Sequence, residues 1–427
     1  MQTHTHIQWN RWERRLLWTF LAGRLWLFVS RVGEALGFDA DKHLEMVRLL
    51  TWSHQSADLH AIFYGYHPPI AFLFARIPMT FGLSDLASVH IVSALSSLVA
   101  FFFMRATLHH LRLLGDPLAV AFLYIAASLP MQIFLASSIN MESILLAEAS
   151  ATLYCSVRAF WDPDPDAPHR RTFAVGIVAS IALAMLTKFN GLLFVAIPLL
   201  AAWVRGGRGR TRRVSAAAAL GSLAILLVFP YYLTRYYIPE GTFFPSNTNT
   251  FDADPQRDAR ERRDDNPAGF FTSLFSATEA HRTSPEPRDL ETLRLSDTWK
   301  DFWVRDLWLG VAPEPSRTIS IVEYTLAPFL LLVGAAVFLR TARRKTPWLQ
   351  LGAVFAGIGL LHLAALIAYA YQNPWAGSVT AKGIYIAPLA WLIGYLLAHA
   401  LPLRRFAFES FLMALGFVAV NHFLLIY

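Results

Sequence analysis

The chain has 427 residues, of which 55% are hydrophobic and 14% aromatic and only 16% charged, against roughly 25% charged in an average soluble domain. Such a composition cannot cover a soluble multidomain fold with polar surface, and the single cysteine, Cys155, excludes an intramolecular disulfide. The net charge of +7 sits in short basic clusters between apolar runs rather than on one face, which argues against a nucleic-acid partner and reads instead as a topology signal.

The first apolar run, 16–32, follows Arg11, Arg14 and Arg15, which predicts a first span with its N-terminus in the cytoplasm. The run is long and has no small-residue cleavage site behind it, so it is read as a span and not as a cleaved leader. Later spans are predicted at 88–108, 117–136, 141–161, 172–187, 190–204, 214–233, 321–340, 348–370, 384–400 and 406–426, about eleven in all. The whole of 1–427 is thus one all-α integral membrane domain.

Alternating sides along this series places Arg112, then Arg170 and Arg171, then Arg205, Arg208, Arg210, Arg212 and Arg213, then Arg340, Arg343, Arg344 and Lys345, and finally Arg404 and Arg405 in cytoplasmic loops. The short outer loops hold only Lys188 and Lys382. That asymmetry follows the positive-inside rule.

Two outer segments are too polar to be simple spans. The first outer loop, 33–86, carries Asp39, Asp41, His43, Glu45, His54, Asp58, His60 and His67. Within it Pro68 and Pro69 open a short, partly apolar stretch to Phe81, which reads as a juxtamembrane or re-entrant helix. The long outer loop, 234–320, mixes acids and bases from Asp252 to Asp265 in what reads as a flexible loop. It ends in Trp299, Phe302, Trp303 and Trp308, which predict an interfacial helix over 297–309, its tryptophans in a headgroup-level belt. No internal repeat, Walker loop or metal-spacing cysteine motif is present.

Ionisable residues at membrane depth are costly, and their default reading is functional. In the predicted topology Asp39, Asp41, Glu142, Lys188 and Lys382 all reach the outer boundary. Acids and bases gathered there suit a reaction between an amphiphilic lipid phosphate and an acceptor outside. Each also has a plain structural role open to it. Asp39 or Asp41 can cap the helix carrying His43, Glu142 can favour a helix N-terminus, Lys188 can snorkel, and His43 and His67 can be satisfied structural histidines.

The segment Phe38-Asp39-Ala40-Asp41-Lys42-His43-Leu44, followed by Tyr64-Gly65-Tyr66-His67-Pro68-Pro69, resembles the first outer loop of the C-type glycosyltransferases that use polyprenyl-phosphate sugars. The similarity is greatest to the bacterial family that includes protein O-mannosyltransferases and aminoarabinose transferases. Asn140-Met141-Glu142 is similar to that family's Asn-x-Asp, with Glu in place of Asp. Leu186-Thr187-Lys188-Phe189-Asn190-Gly191 is similar to its Leu-Thr-Lys element. Lys382-Gly383-Ile384-Tyr385 with Pro388 resembles a late basic-Tyr-x-x-Pro element, departing from it where Ile384 stands in place of an Arg.

The resemblance implies an enzyme moving a monosaccharide from a polyprenyl-phosphate donor to a glycan, lipid or protein acceptor at the outer face of a bacterial cytoplasmic membrane. Inverting transfer needs a carboxylate to take the acceptor proton, for which Asp39 is the first candidate and Asp41 the second. It also needs cations or donors on the leaving phosphate, for which Lys188, Lys382 and His67 are candidates. His43 and Tyr385 complete the implied donor site. The residues leave open whether Glu142 orients the acceptor or holds a divalent metal ion against the phosphate. Two other readings are a transporter or lipid flippase, against which the absence of two related halves counts, and a binding or assembly subunit, which would be expected to lack the first-loop acid.

Overall fold

The computed structural model describes residues 2–35, 37, 40–50, 65–162, 169–243, 261, 264–268, 299, 303, 314–341, 346–372, 387–400, 415–419 and 421. In the first helix side chains are described from Trp12 onward, and in the helix starting at Glu314 from Thr325 to Arg340. Among the described residues there is no strand, and the protein is an all-helical, polytopic membrane protein.

The elements in chain order are α1 (Gln2–Arg31), α2 (Ala40–Leu49), α3 (Ile70–Met79), α4 (Asp85–His110), α5 (Pro117–Ala127), α6 (Pro130–Ser137), α7 (Glu142–Phe160) and α8 (His169–Thr187). A 3-10 turn (Phe189–Val195) then leads into α9 (Ala196–Arg205), followed by α10 (Arg210–Tyr232), which continues through a π-turn (Leu233–Tyr237) to Glu240. The last three are α11 (Glu314–Thr341), α12 (Pro347–Gln372) and α13 (Leu389–Ala400). Ten of the predicted spans coincide with these helices. The last, 406–426, falls mostly outside the described residues.

Four described helices are long and apolar enough to cross a membrane: α4, α8, α10 with its continuation to Glu240, and α12. The pair α5 and α6 forms a fifth when counted as one bent span, and α3, Phe189–Arg205, Thr325–Arg340 and α13 are shorter apolar helices. Helix α7 falls outside that set because Glu142, Glu148 and Arg158 interrupt it. It lies at the centre of the bundle against α4, α8 and α9. A helix enclosed by protein need not present an apolar face to lipid. The outward positions of other helices are apolar, with Trp18 70% exposed and Leu226 65%. A surface of this kind is suited to hydrocarbon and not to water.

Local chemistry sets the boundaries. Ser84 caps α4, its hydroxyl accepting from the Ala87 N–H at 3.2 Å, and Asp116 caps α5, accepting from the Leu118 N–H at 2.9 Å ahead of Pro117 in the first turn. The predicted single span 117–136 is in fact two helices bent by 51°. Pro130 has no N–H and cannot follow an unbroken helix. The carbonyls at the break are met by the buried guanidinium of Arg24, which donates to Ala127 O at 2.6 Å and Gln132 O at 3.2 Å.

The helices have two chemically distinct ends. At one, Arg105 pairs with Glu13 at 2.8 Å, Trp161 donates to Ala201 O at 2.8 Å, and Gln350 donates to Val204 O at 3.3 Å. This end carries the turns with Arg112 and with Arg205 to Arg213. At the other, His90 bonds Glu34 O at 2.7 Å and Arg48 pairs with Asp85 at 2.5 Å. A second, smaller core closes this end, in which Ala40, Leu44, Met46, Val47 and Leu50 pack with Ala71, Phe72, Ala75, Val89, Ile139, Met141 and Ile144. Helices α2 and α3 are thereby packed onto the start of α7.

Candidate active site

The turn between α6 and α7 is tied by Asn140. Its amide donates to Leu135 O at 2.9 Å and to the Ser138 carbonyl and hydroxyl at 3.0 and 2.9 Å, and its Oδ1 accepts from the Ser143 N–H at 2.9 Å. This caps α7 and leaves Glu142, in the first helical turn, to project its carboxylate into the bundle end. The Asn of the Asn-x-Glu element is therefore the scaffold and the Glu its charged group.

Gly37 locks the first loop to the same turn. Its φ is +133°, and a Cβ there would lie 2.7 Å from Ile139 O. Only glycine combines that backbone with such close approach. The neighbouring described residue Ala40 is buried in the small core.

The Leu-Thr-Lys element ends α8. Lys188 is extended (φ −160°, ψ 150°), the 3-10 turn follows it, and the chain doubles back so tightly that a Cβ on Gly191 would sit 2.2 Å from the Ala184 carbonyl. Tyr232 donates to Met185 O at 2.6 Å, satisfying one carbonyl at the helix end. Phe189 packs edge-on to Tyr232 and Tyr236, with ring centroids 5.7 and 5.3 Å away.

These two turns face each other. The Lys188 ammonium forms an ion pair and hydrogen bond with Glu142 Oε1, and the residues are 8% and 7% exposed. His43, buried on α2 with its ring 5.9 Å from that of Phe72, acts electrostatically on both Glu142 and His67. His67 lies in the Tyr-Gly-Tyr-His-Pro-Pro turn before α3. Burial, then the charge of Lys188, then His43 hold its pKa well below the ordinary histidine range. Arg235, in the π-turn after α10, donates to Gly65 O at 3.4 Å and joins that helix to the same loop.

Of the predicted site residues, His43, His67, Glu142 and Lys188 thus come together. Asp41 does not join them. It is exposed in the first turn of α2, and a two-residue step along a helix turns it away from buried His43. Asp39, Lys382 and Tyr385 lie outside the described residues. The end of the late element is fixed nonetheless, since buried Gln132 donates to Ala387 O at 3.2 Å. Among the described residues no three acids, histidines or cysteines converge to hold a metal ion, and the Glu142 carboxylate is engaged by Lys188.

Of the tryptophans expected in a belt, Trp299 and Trp303 are described; Trp303 is enclosed by protein. It is 2% exposed and belongs to the main core, its ring 5.4 Å from that of Trp299. Its ring is thus packed against protein, not presented to lipid. The rest of 297–309 lies outside the described residues. Arg24, Gln132, Glu148 and Arg235 were not singled out from sequence. For Arg24 and Glu148 the signal was present, as ionisable residues deep in predicted helices.

The fold and site define a polytopic, all-helical membrane protein with a charged cluster at one end of its bundle. No protein-family model and no curated protein matches the chain. Two solved structures are similar to it. ArnT from Cupriavidus metallidurans in the apo state is 16% identical, with a TM-score of 0.41 over 89% of this chain and 75% of that one. The structure of ArnT from the same organism bound to undecaprenyl phosphate is 18% identical, with a TM-score of 0.41 over 88% and 76%. Neither transfers a residue role or a substrate to this chain.

Proposed function

We propose that the chain is a membrane glycosyltransferase that moves a monosaccharide from a polyprenyl-phosphate carrier to an acceptor hydroxyl at the outer face of the cytoplasmic membrane. The observation that carries this reading is the convergence of His43, His67, Glu142 and Lys188, from three separate motifs, on one end of the bundle. That end is remote from the arginine-rich turns that mark the cytoplasmic side.

In the proposed reaction the acceptor oxygen attacks the anomeric carbon as the bond from that carbon to the phosphate oxygen breaks, inverting the centre. The acceptor proton passes to Asp39, and the bonding electrons leave with the phosphate. Charge grows on that phosphate, where a cation has most effect in a site shielded from water. An ammonium carries three N–H donors, so Lys188 can serve the Glu142 carboxylate and a phosphate together. Glu142 fixes Lys188 and keeps a buried cation from standing alone, which is otherwise strongly unfavourable. His67, kept neutral by burial and by Lys188, can offer an N–H to the phosphate or the sugar without adding charge. Lys382 and Tyr385 are assigned by motif to the donor side. Asp41 is the alternative base.

A transporter or flippase is the second reading, and the broken helix α5–α6 is the feature that favours it. The carbonyls at that break are already taken by Arg24. Incubating purified protein with radiolabelled polyprenyl-phosphate sugars and membrane extract separates the two. Labelled acceptor supports transfer, whereas directional lipid movement without a labelled product supports transport.

A further inference from the structure

Glu148 is an acid buried to 7% exposure, two turns into α7, where nothing in the proposed reaction reaches it. Its Oε1 accepts a 2.8 Å hydrogen bond from Thr187 Oγ1, and its Oε2 has no hydrogen-bond partner among the described residues. Alongside, Thr152 Oγ1 donates to Glu148 O and meets Ser180 Oγ, each at 2.8 Å, so a short polar seam joins α7 to α8. A carboxyl placed like this costs stability, since burial removes hydration that one hydrogen bond only partly replaces. A packed apolar residue would serve the fold better, so a purpose beyond packing is needed.

Thr187 supplies it. It is the last residue of α8 and immediately precedes Lys188, whose extended backbone turns the chain out of the helix. We propose that Glu148 is a positioning residue: by holding the Thr187 hydroxyl it fixes the end of α8, and so the direction in which Lys188 reaches Glu142 and the donor phosphate. Helix α7 then grips the Lys188 turn twice, through Glu142 on the ammonium and through Glu148 one residue upstream. The second half of this statement, the phosphate, rests on the proposed function. The first half, the Lys188 to Glu142 geometry, does not.

The test has two arms, both on full-length protein in lipid nanodiscs. In the first, thermal midpoints of Glu142→Gln, Lys188→Met and the double variant give the coupling between the pair. That coupling is expected to collapse when Glu148→Leu or Thr187→Val is also present, and to survive Glu148→Gln and Thr187→Ser, which keep an acceptor and a donor. Undiminished coupling with Glu148→Leu and with Thr187→Val overturns the inference, whatever the substrate.

In the second arm, affinity for undecaprenyl phosphate is measured. Glu148→Leu and Thr187→Val are each expected to weaken it about tenfold, with no larger loss when combined, and with no further loss in a Lys188→Met background. Equal loss with and without Lys188 overturns the positioning role. Absence of any binding by the wild type overturns the transferase reading, and the first arm then decides the inference alone.

Discussion

The Lys188 ammonium meets the Glu142 carboxylate across the gap between the end of α8 and the start of α7, and both residues are buried there. Removing one partner of such a pair leaves an uncompensated charge, typically at a cost of about 3–5 kcal/mol, whereas replacing both by neutral groups can be close to neutral. Glu142→Gln and Lys188→Met should therefore each lower the unfolding midpoint in nanodiscs, and the double variant should recover part of the loss. Additive losses would mean that the two groups do not depend on each other.

The same lysine allows a test of charge against geometry. Lys188→Ala should weaken donor use more than Lys188→Arg, because a guanidinium retains the cation although it presents it in a planar fork. Apparent affinity for a labelled polyprenyl-phosphate sugar gives the comparison. Near-normal values for both variants would reduce Lys188 to a structural anchor.

His67 sets a pH dependence with a definite sign. Burial, the Lys188 charge and His43 place its folded-state pKa below the unfolded value of 6.5. In the window between the two the unfolded chain binds the extra proton and the folded chain does not, so stability rises with pH there. The contribution is complete above pH 6.5 and is lost as the pH falls below it. Midpoints taken from pH 7.5 down to about 5 should fall more steeply for the wild type than for His67→Asn. Equal slopes would show that His67 is not held neutral.

Much of the architecture is legible in the sequence because lipid imposes long apolar runs. The run at 141–161 differs from α7 by only a residue at each end. Other features depend on partners distant along the chain. The bend at Pro130 had a visible local cause, but its carbonyls are met by Arg24, more than a hundred residues earlier. Nothing in the sequence around Gly191 or Gly37 tells that the backbones of Ala184 and Ile139 lie against them. In the site, the motif resemblance brought out Glu142 and Lys188 separately, and only the fold pairs them. Asp41 is the second candidate in the sequence, and helix α2 turns it outward. Glu148 lies within a mainly apolar run, and only the fold brings it to Thr187, 39 residues later.

Sidedness is open to direct labelling. In a Cys155→Ser background, single cysteines replacing exposed Asp41 or Asp265 should react with an impermeant thiol reagent in intact cells. Cysteines replacing exposed Arg112 or Arg208 should react only after permeabilisation. Labelling of both sets from the same side would contradict the proposed orientation of the site.

Transfer itself is tested most directly at Asp39, between Gly37, locked against Ile139, and Ala40, buried in the small core. Asn keeps the size of Asp and most of its hydrogen bonding but cannot take a proton at neutral pH. The decisive measurement is the initial rate of sugar transfer from a radiolabelled polyprenyl-phosphate sugar by purified Asp39→Asn, beside Asp41→Asn and wild type. The account predicts that Asp39→Asn loses about 10²-fold or more in turnover while still binding donor, and that Asp41→Asn stays close to wild type. Full activity in Asp39→Asn, with or without loss in Asp41→Asn, would contradict Asp39 as the base, and full activity in both would contradict the mechanism placed in this loop.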